Sequence, residues 1–436
     1  MHLRFFILFS CLLTFTCSRS QSAQLIATSI GVIHALHEYN DSLFCGGSIN
    51  LLNGSITYYS FSYNGANFDL HGQQLGGSGF RDFVTINDTL WGVGNGLSSA
   101  NLGLNSHVNS IAYRDSGRWK GHNKYSVNNV KEVLALEEFQ GDLILGGNFT
   151  LPYQFVAKHN GNNFSPLGSG FDQGVTCMAV YNGELYAGGT ISLSGATPLS
   201  NVAKWNGTSW EDVGGGTDLN VFCMEVWNGE LYIGGVFTNA GGQPASRLAR
   251  WDGNVWQSLN AGVSSSNGQP CYVNVLESTS SGLMIGGRFE MVDGVAGTNL
   301  ALWNGTSLTA YGNLQINEEV QAIGEYQNGL YFSTFYFGPL PIGRLYGPGP
   351  VGIEQITRTD ILVFPNPSAT FLSIDATDLI GPIHITICSL SGQLLQEVHS
   401  IGGRQINIDL SITSGSYILE VQEEQGKRSV QRIVVE

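Results

Sequence analysis

The stretch LYIGGVFTNAGGQPASRLARWDGNVW, Leu231 to Trp256, carries a glycine pair, a run of small polar residues and two tryptophans five positions apart. It is not unique. The copy before it reads LYAGGTISLSGATPLSNVAKWNGTSW from Leu185 to Trp210, and the copy after it reads LMIGGRFEMVDGVAGTNLALWNGTSL from Leu283 to Leu308. Weaker copies begin at Leu43 (LFCGG), Leu90 (LWGVG), Leu143 (LILGG) and Leu330 (LYFST). The second glycine of each pair, or its equivalent, is Gly47, Gly94, Gly147, Gly189, Gly235, Gly287 and Thr334. Their spacing of roughly 40–55 residues is the size of one four-stranded blade in a radial repeat. A second marker keeps the same order, an aromatic or similar residue with a bulky one five positions on: Tyr63/Phe68, Arg114/Trp119, His159/Phe164, Trp205/Trp210, Trp251/Trp256 and Trp303/Leu308.

Each repeat divides into four strands. Around the quoted stretch they are VFCMEVW, LYIGGVF, SRLARW and VWQSL, joined by NGE between the first two and DGN between the last two. Asn-Gly and Asp-Gly supply the positive φ angles of tight hairpins, and Asn182-Gly183 and Asn206-Gly207 repeat these links one copy earlier. The repeats therefore read as meandering antiparallel sheets, whose edges stay exposed unless the array closes on itself. The seventh repeat runs VQAIGEY, LYFSTFYF, IGRLY and meets GPGP without a fourth strand. The segment AQLIATSIG, Ala23 to Gly31, looks like the segments that end other repeats, and is predicted to close the ring as the outer strand of the last blade. The expectation is an all-β chain: a seven-bladed β-propeller over residues 23–350, then a small C-terminal β-sandwich. The diglycine strand with downstream aromatics resembles kelch and galactose-oxidase-like β-propellers, and still more the GG-x-F-T repeats of large secreted surface proteins.

Glycine, at 58 of 436 residues, is well above ordinary usage and charged residues are only 12%, a composition that suits many turns between apolar strands. A net charge of −15 argues against nucleic acid as a partner, since a phosphate backbone selects a basic face. The N-terminus, MHLRFFILFSCLLTFTCSRSQSAQ, places Arg4 before an apolar run and then small residues, the pattern of a secretory signal peptide over residues 1–22. Cys11 and Cys17 leave with it, and no transmembrane segment is expected in the mature chain. Cys45, Cys177, Cys223, Cys271 and Cys388 remain, an odd number without metal-ligand spacing. Buried small hydrophobes are the expectation for Cys177 and Cys223.

Near residue 350 the pattern changes. GPGPVGIEQITRTD breaks the repeat, with a linker at 351–361, and alternating apolar residues at Ile383, Ile385, Ile387, then Ile406, Ile408, Leu410, then Tyr417, Leu419, Val421 read as half-buried strands. Pro365, Asn366 and Pro367 in VFPNP, Ser391-Gly392, Asp409-Leu410, Gly415 and Tyr417 in SGSYIL, and the terminal QRIVVE follow in order. This order resembles the type A C-terminal sorting domain of cargo of the type IX secretion system of Bacteroidota. The resemblance implies that residues 362–436 engage the secretion machinery, take the folded chain across the outer membrane, and are commonly removed as it is released or attached to surface lipopolysaccharide.

No catalytic constellation is recognisable: there is no GxSxG, HExxH or Walker pattern. His34 and His37, three apart on a strand, point to opposite faces, and His159 stands where other repeats have tryptophan. No cofactor or metal is implied. The acidic stretches LEEFQGD (Leu136 to Asp142) and NEE (Asn317 to Glu319) read as loops. If strands alternate direction, the longer second-to-third and fourth-to-first connections share one face, and loops on a rigid scaffold are the usual seat of binding. On that face Phe171, Asp172, Asp218, Asp293, Tyr336 and Phe337 are candidate stacking and acceptor groups for a glycan or a protein. The leading expectation is a non-enzymatic binding or adhesion module at the cell surface or outside the cell. Its rival is a surface glycoside hydrolase or lyase with acids from several blades converging in the funnel.

Overall fold

The structure is a computed structural model that describes residues 22–52, 55–56, 59–71, 79–94, 110–121, 130–150, 153–161, 163–297, 299–311, 318–327, 329–335, 339–346, 363–364, 371–376, 382–389, 394–401, 403–410, 412–423 and 428–435. Apart from Ser22, the expected signal peptide lies outside these residues, as do the linker 351–361, Tyr336, Phe337, Pro365, Asn366, Pro367 and Gly392. Among the described residues every regular element is a β-strand. Contacts divide the chain into residues 1–351 and 352–436.

In the fifth repeat the strands Val221–Trp227, Glu230–Gly235, Leu248–Trp251 and Trp256–Ser258 pair in that order, each antiparallel to the one before. The second, third, fourth and sixth repeats have the same four-stranded order. The first and last share a sheet, because one strand, Ser22–Tyr39, serves both. Its N-terminal part pairs with Pro339–Tyr346 (Ala23 opposite Leu345), and its C-terminal part with Ser42–Leu52 (Leu36 opposite Cys45). The expected closing pair is present, and the closing segment continues without a break into the first strand of the first repeat.

The first strand of each repeat contacts the first strand of the next, and the last of them, Glu319–Tyr326, contacts Ser22–Tyr39. These strands form a closed inner ring with the later strands outside it, the arrangement of a β-propeller. Each first strand slips register by one residue opposite the glycine pair or its equivalent, between Val221 and Cys223 in the fifth repeat and at matching points in the others. Such a bulge bends the strand and increases its twist. A Cβ on Gly235 would lie 2.2 Å from the Asn220 carbonyl oxygen, and one on Gly234 would lie 2.5 Å from Val273 Cγ1 in the next repeat. The second glycine thus clears the bulge, and the first lets the neighbouring sheet close in.

The tryptophans mortar the sheets. Trp251 and Trp256 are directly paired across two strands with ring centroids 5.2 Å apart. The Trp256 indole N–H donates to the Val213 carbonyl at 2.7 Å, and Trp210 donates likewise to Leu167 at 3.1 Å. In both cases the fourth-strand tryptophan reaches back to the end of the preceding repeat. His159, in the tryptophan position of the third repeat, is buried against Phe164 with centroids 4.6 Å apart.

Two local expectations need correction. Asn182-Gly183 and Asn228-Gly229 do form two-residue turns with positive φ at both positions. The third-to-fourth links do not: Trp205 pairs with Trp210 across four residues, and the Asn206 side-chain oxygen accepts the N–H groups of Thr208 and Ser209 at 2.9 Å. Asp252 does the same for Asn254 and Val255, so Asn and Asp act there as side-chain turn formers. The small-residue run TNAGGQPAS is a hairpin, Asn239–Ala240 with Gln243–Pro244, turned by Gly241 and Gly242 at φ 57° and 74°. Ala240 and Ala245 are buried in one core with Trp256. A larger side chain on either alanine would lift the hairpin off that core.

The C-terminal body has two sheets. Val363–Phe364, Phe371–Ala376 and Arg404–Asp409 make one; Leu394–Ile401, Pro382–Ser389, Gly415–Glu423 and Arg428–Val435 make the other, in that spatial order. Leu372, Ile374 and Ile406 from the first sheet share a core with Ile383, Ile385, Ile387, Tyr417 and Leu419 from the second. The alternation read from the sequence therefore faces inward. Tyr417 donates its hydroxyl to the Thr413 carbonyl, and Gly415 lies against its ring, 3.1 Å from the hydroxyl oxygen to a would-be Cβ. In the ring, Cys45, Cys177, Cys223 and Cys271 are buried free thiols, and burial pushes the Cys177 thiol up to about 12.

Candidate functional site

Strand alternation puts the second-to-third and fourth-to-first connections on one face, and hydrogen bonds join the two kinds of connection there. The Asp218 carboxylate accepts from the backbone N–H groups of Thr238 and Asn239 at 2.8 and 2.9 Å, and from both their side chains. One repeat earlier Asp172 accepts from the N–H groups of Ser192 and Leu193, both at 2.9 Å. Burial works to raise the Asp218 carboxyl, but the combined bonds from Thr238 and Asn239 outweigh it and hold the group down at about 2. Asp293 accepts the Ala261 N–H at 2.9 Å in the sixth repeat. These three acids staple one long connection to another.

Phe171 is a correction. Its ring is 3% exposed and packs on Trp210 with centroids 4.7 Å apart, so it fills the core beneath the rim and offers no open stacking face. The exposed apolar groups on this face are ones the sequence did not single out: Leu193 (41%), Leu219 (48%) and Val295 (68%).

At the ring mouth on the same face, side chains from the starts of the first strands meet. The Tyr272 hydroxyl and Asn274 amide both donate to the Glu319 carboxylate at 2.6 Å. The Phe222 and Tyr272 rings stand edge to face with centroids 6.2 Å apart. Across the mouth, Arg81 donates to His34 Nε2 at 2.8 Å and pairs with Glu132 at 3.3 Å. Burial, and then the Arg81 charge, hold His34 neutral, down to about 3. His34 and His37 do not meet: His37 bonds Thr85 at 2.9 Å.

Further along the first strands, toward the short turns, carboxyls converge on the axis. Glu137, Glu225 and Glu277 occupy one register position in three repeats, opposite Ile144, Tyr232 and Met284. Burial, with the charges of Asp82, Glu225 and Glu138, pushes Glu137 up to about 8. Burial lifts Glu225 to about 7, and raises Glu277 strongly with help from Glu225 and Glu325. Asp82 reaches about 7 through burial, against bonds from the Leu136 and Phe83 N–H groups at 2.8 Å. Glu137 and Glu225 feel each other although a whole repeat stands between them, as side chains pointing at a common axis do.

LEEFQGD is thus not a loop. Glu137 and Glu138 lie in the strand Val130–Phe139, and Glu319 opens Glu319–Tyr326. A glutamate amid apolar residues in VFCMEVW and VNVLEST was the available signal for the other two. Elsewhere, a crevice of about 190 Å³ between the fourth and fifth repeats, lined by Tyr181, Glu184, Lys204 and Trp251, is smaller than the roughly 300 Å³ of ordinary small-molecule sites.

Comparison with known proteins identifies one part of the chain. Residues 362–436 match the family model described as secretion system C-terminal sorting domain. The tail is a type IX sorting tail, and the chain is exported by that route to the cell surface or extracellular space. No curated protein matches the chain. Among solved structures, one of YCF48 bound to D1 peptide is 12% identical, with 79% of this chain and 98% of that chain covered at a TM-score of 0.47. One of the AfRom2 CNH domain is 10% identical, with 75% and 99% covered at 0.35. No helix among the described residues is long and apolar enough to cross a membrane.

Proposed function

We propose that the chain is an exported seven-bladed, kelch-like β-propeller of a Bacteroidota cell, with a β-sandwich sorting tail, that binds a glycan or a protein partner without catalysis. The observation that carries this reading is the mouth on the long-connection face. Half-buried Phe222 and Tyr272 stand beside the Asn274 amide and the Glu319 carboxylate. Aromatic faces next to a few fixed polar groups suit a sugar ring or a side chain. Leu193, Leu219 and Val295 extend the surface outward, while Asp172, Asp218 and Asp293 fix the loops that present them. The test is a glycan and surface-protein array probed with the full chain and with Phe222→Ala/Tyr272→Ala. Binding by the wild type that falls at least about tenfold in the variant, the worth of one or two lost stacking contacts, supports the reading; undiminished binding overturns it.

A second reading, a surface glycoside hydrolase or lyase, is favoured by the convergence of Glu137, Glu225 and Glu277. A carboxyl still protonated near neutral pH is what a general acid requires. Turnover of a polysaccharide by the wild type, abolished in Glu225→Gln, would support it, and absence of turnover across a broad substrate panel would remove it.

A further inference from the structure

On the outward face of the sorting tail, His384 and His399 sit directly opposite each other on neighbouring strands, Pro382–Ser389 and Leu394–Ile401. Glu397 lies two residues from His399, so it projects from the same face of its strand. The inward alternates, Ile383, Ile385 and Ile387, are buried in the core, which leaves no packing reason for the outward three to be what they are. Their donor atoms nonetheless converge. One carboxylate oxygen, Glu397 Oε1, lies in hydrogen-bond contact with His384 Nε2 and 3.4 Å from His399 Nε2. The two imidazole rings are stacked, with centroids 4.5 Å apart and planes within 6°. All three ligand atoms lie within 4.8 Å of one another.

We propose that His384, Glu397 and His399 form a binding site for a borderline transition-metal dication, with zinc as the reference ion. Two neutral imidazoles and one carboxylate are a common zinc ligand set that leaves the fourth position to water. Imidazole also suits copper and nickel. Directly paired strand residues have Cβ atoms about 5 Å apart, a span one ion can bridge with two imidazoles. An ion seated there ties the strand Pro382–Ser389 to Leu394–Ile401 at their third pair from the Pro382/Ile401 end. Because the ion binds the folded pair and not the unfolded chain, it stabilises the tail by linkage.

The experiment is calorimetric titration of the full, chelator-treated chain with zinc chloride near pH 7.5, with histidine ring protons followed by NMR. One saturable site is expected, with the His384 and His399 ring signals moving on zinc addition. His384→Ala, His399→Ala and Glu397→Gln should each weaken binding by more than about tenfold, since even partners behind the ligands cost that much. His399 is 76% exposed, so its truncation leaves the core intact, and unchanged backbone amide signals verify that the tail is folded. No zinc uptake by the wild type overturns the proposal, as does uptake undiminished in His384→Ala and His399→Ala.

Discussion

A methyl group placed on Gly234 meets Val273 Cγ1, a side chain that can give way a little; one placed on Gly235 meets the Asn220 carbonyl oxygen, which cannot. Gly234→Ala is expected to cost about 1–3 kcal/mol as an overpacking change, and Gly235→Ala more, both read as a shift in urea midpoint. Trp256→Ala removes a buried indole and its bond to Val213, at about 3–5 kcal/mol. Asp218→Ala, at an exposed staple, should cost only about 1 kcal/mol, while raising hydrogen exchange at Thr238 and Asn239. The glycine and tryptophan positions are legible in the sequence because the constraint recurs, in full or in weaker form, in most repeats. Phe171 is not legible as a core residue, because only packing reveals that an aromatic beside an aspartate points under the rim.

Strands, turns and hairpins were legible where local chemistry fixes them. Asn-Gly gave true two-residue turns between first and second strands, where two positive φ angles are needed. The same letters at Asn206-Gly207 gave a four-residue link, because a side-chain oxygen can satisfy the turn on its own. The hairpin inside TNAGGQPAS was hidden, since four residues of strand leave no periodicity. LEEFQGD reads as a loop on polarity, yet Leu136 and Phe139 are buried, and the strand turns Glu137 to the axis while Glu138 accepts the Gly141 N–H at the turn. The N-terminal strand was legible from what the seventh repeat lacks. Deleting residues 22–30 removes the pairing with Pro339–Tyr346 and should lower the unfolding temperature and raise hydrogen exchange over residues 339–346. Unchanged protection there would mean that the closure contributes nothing.

For the whole molecule, the axial carboxyls set a pH dependence. Glu137, Glu225 and Asp82 ionise at about 8, 7 and 7 in the folded chain, against ordinary values of 4.5, 4.5 and 3.8. An acid whose folded value is raised keeps its proton longer in the folded state, so stability is greatest below the ordinary value and declines as pH rises toward the folded value. Melting temperature should therefore fall between about pH 5 and 8, and Glu225→Gln should flatten that decline. Removing residues 362–436 should abolish delivery outside the cell, read by cell fractionation. The ring and the tail were legible because repeats and ordered motifs survive in one sequence. The convergence of Glu137, Glu225 and Glu277 was not, because it depends on three blades being turned to one axis. The central claim, that the working surface is the long-connection mouth, is tested most directly by hydrogen exchange of the full chain with and without the glycan or protein it selects. Protection at residues 215–222, 272–274 and 291–295 is the predicted result; protection confined to the opposite turns, at 182–184, 228–230 and 252–255, would contradict it.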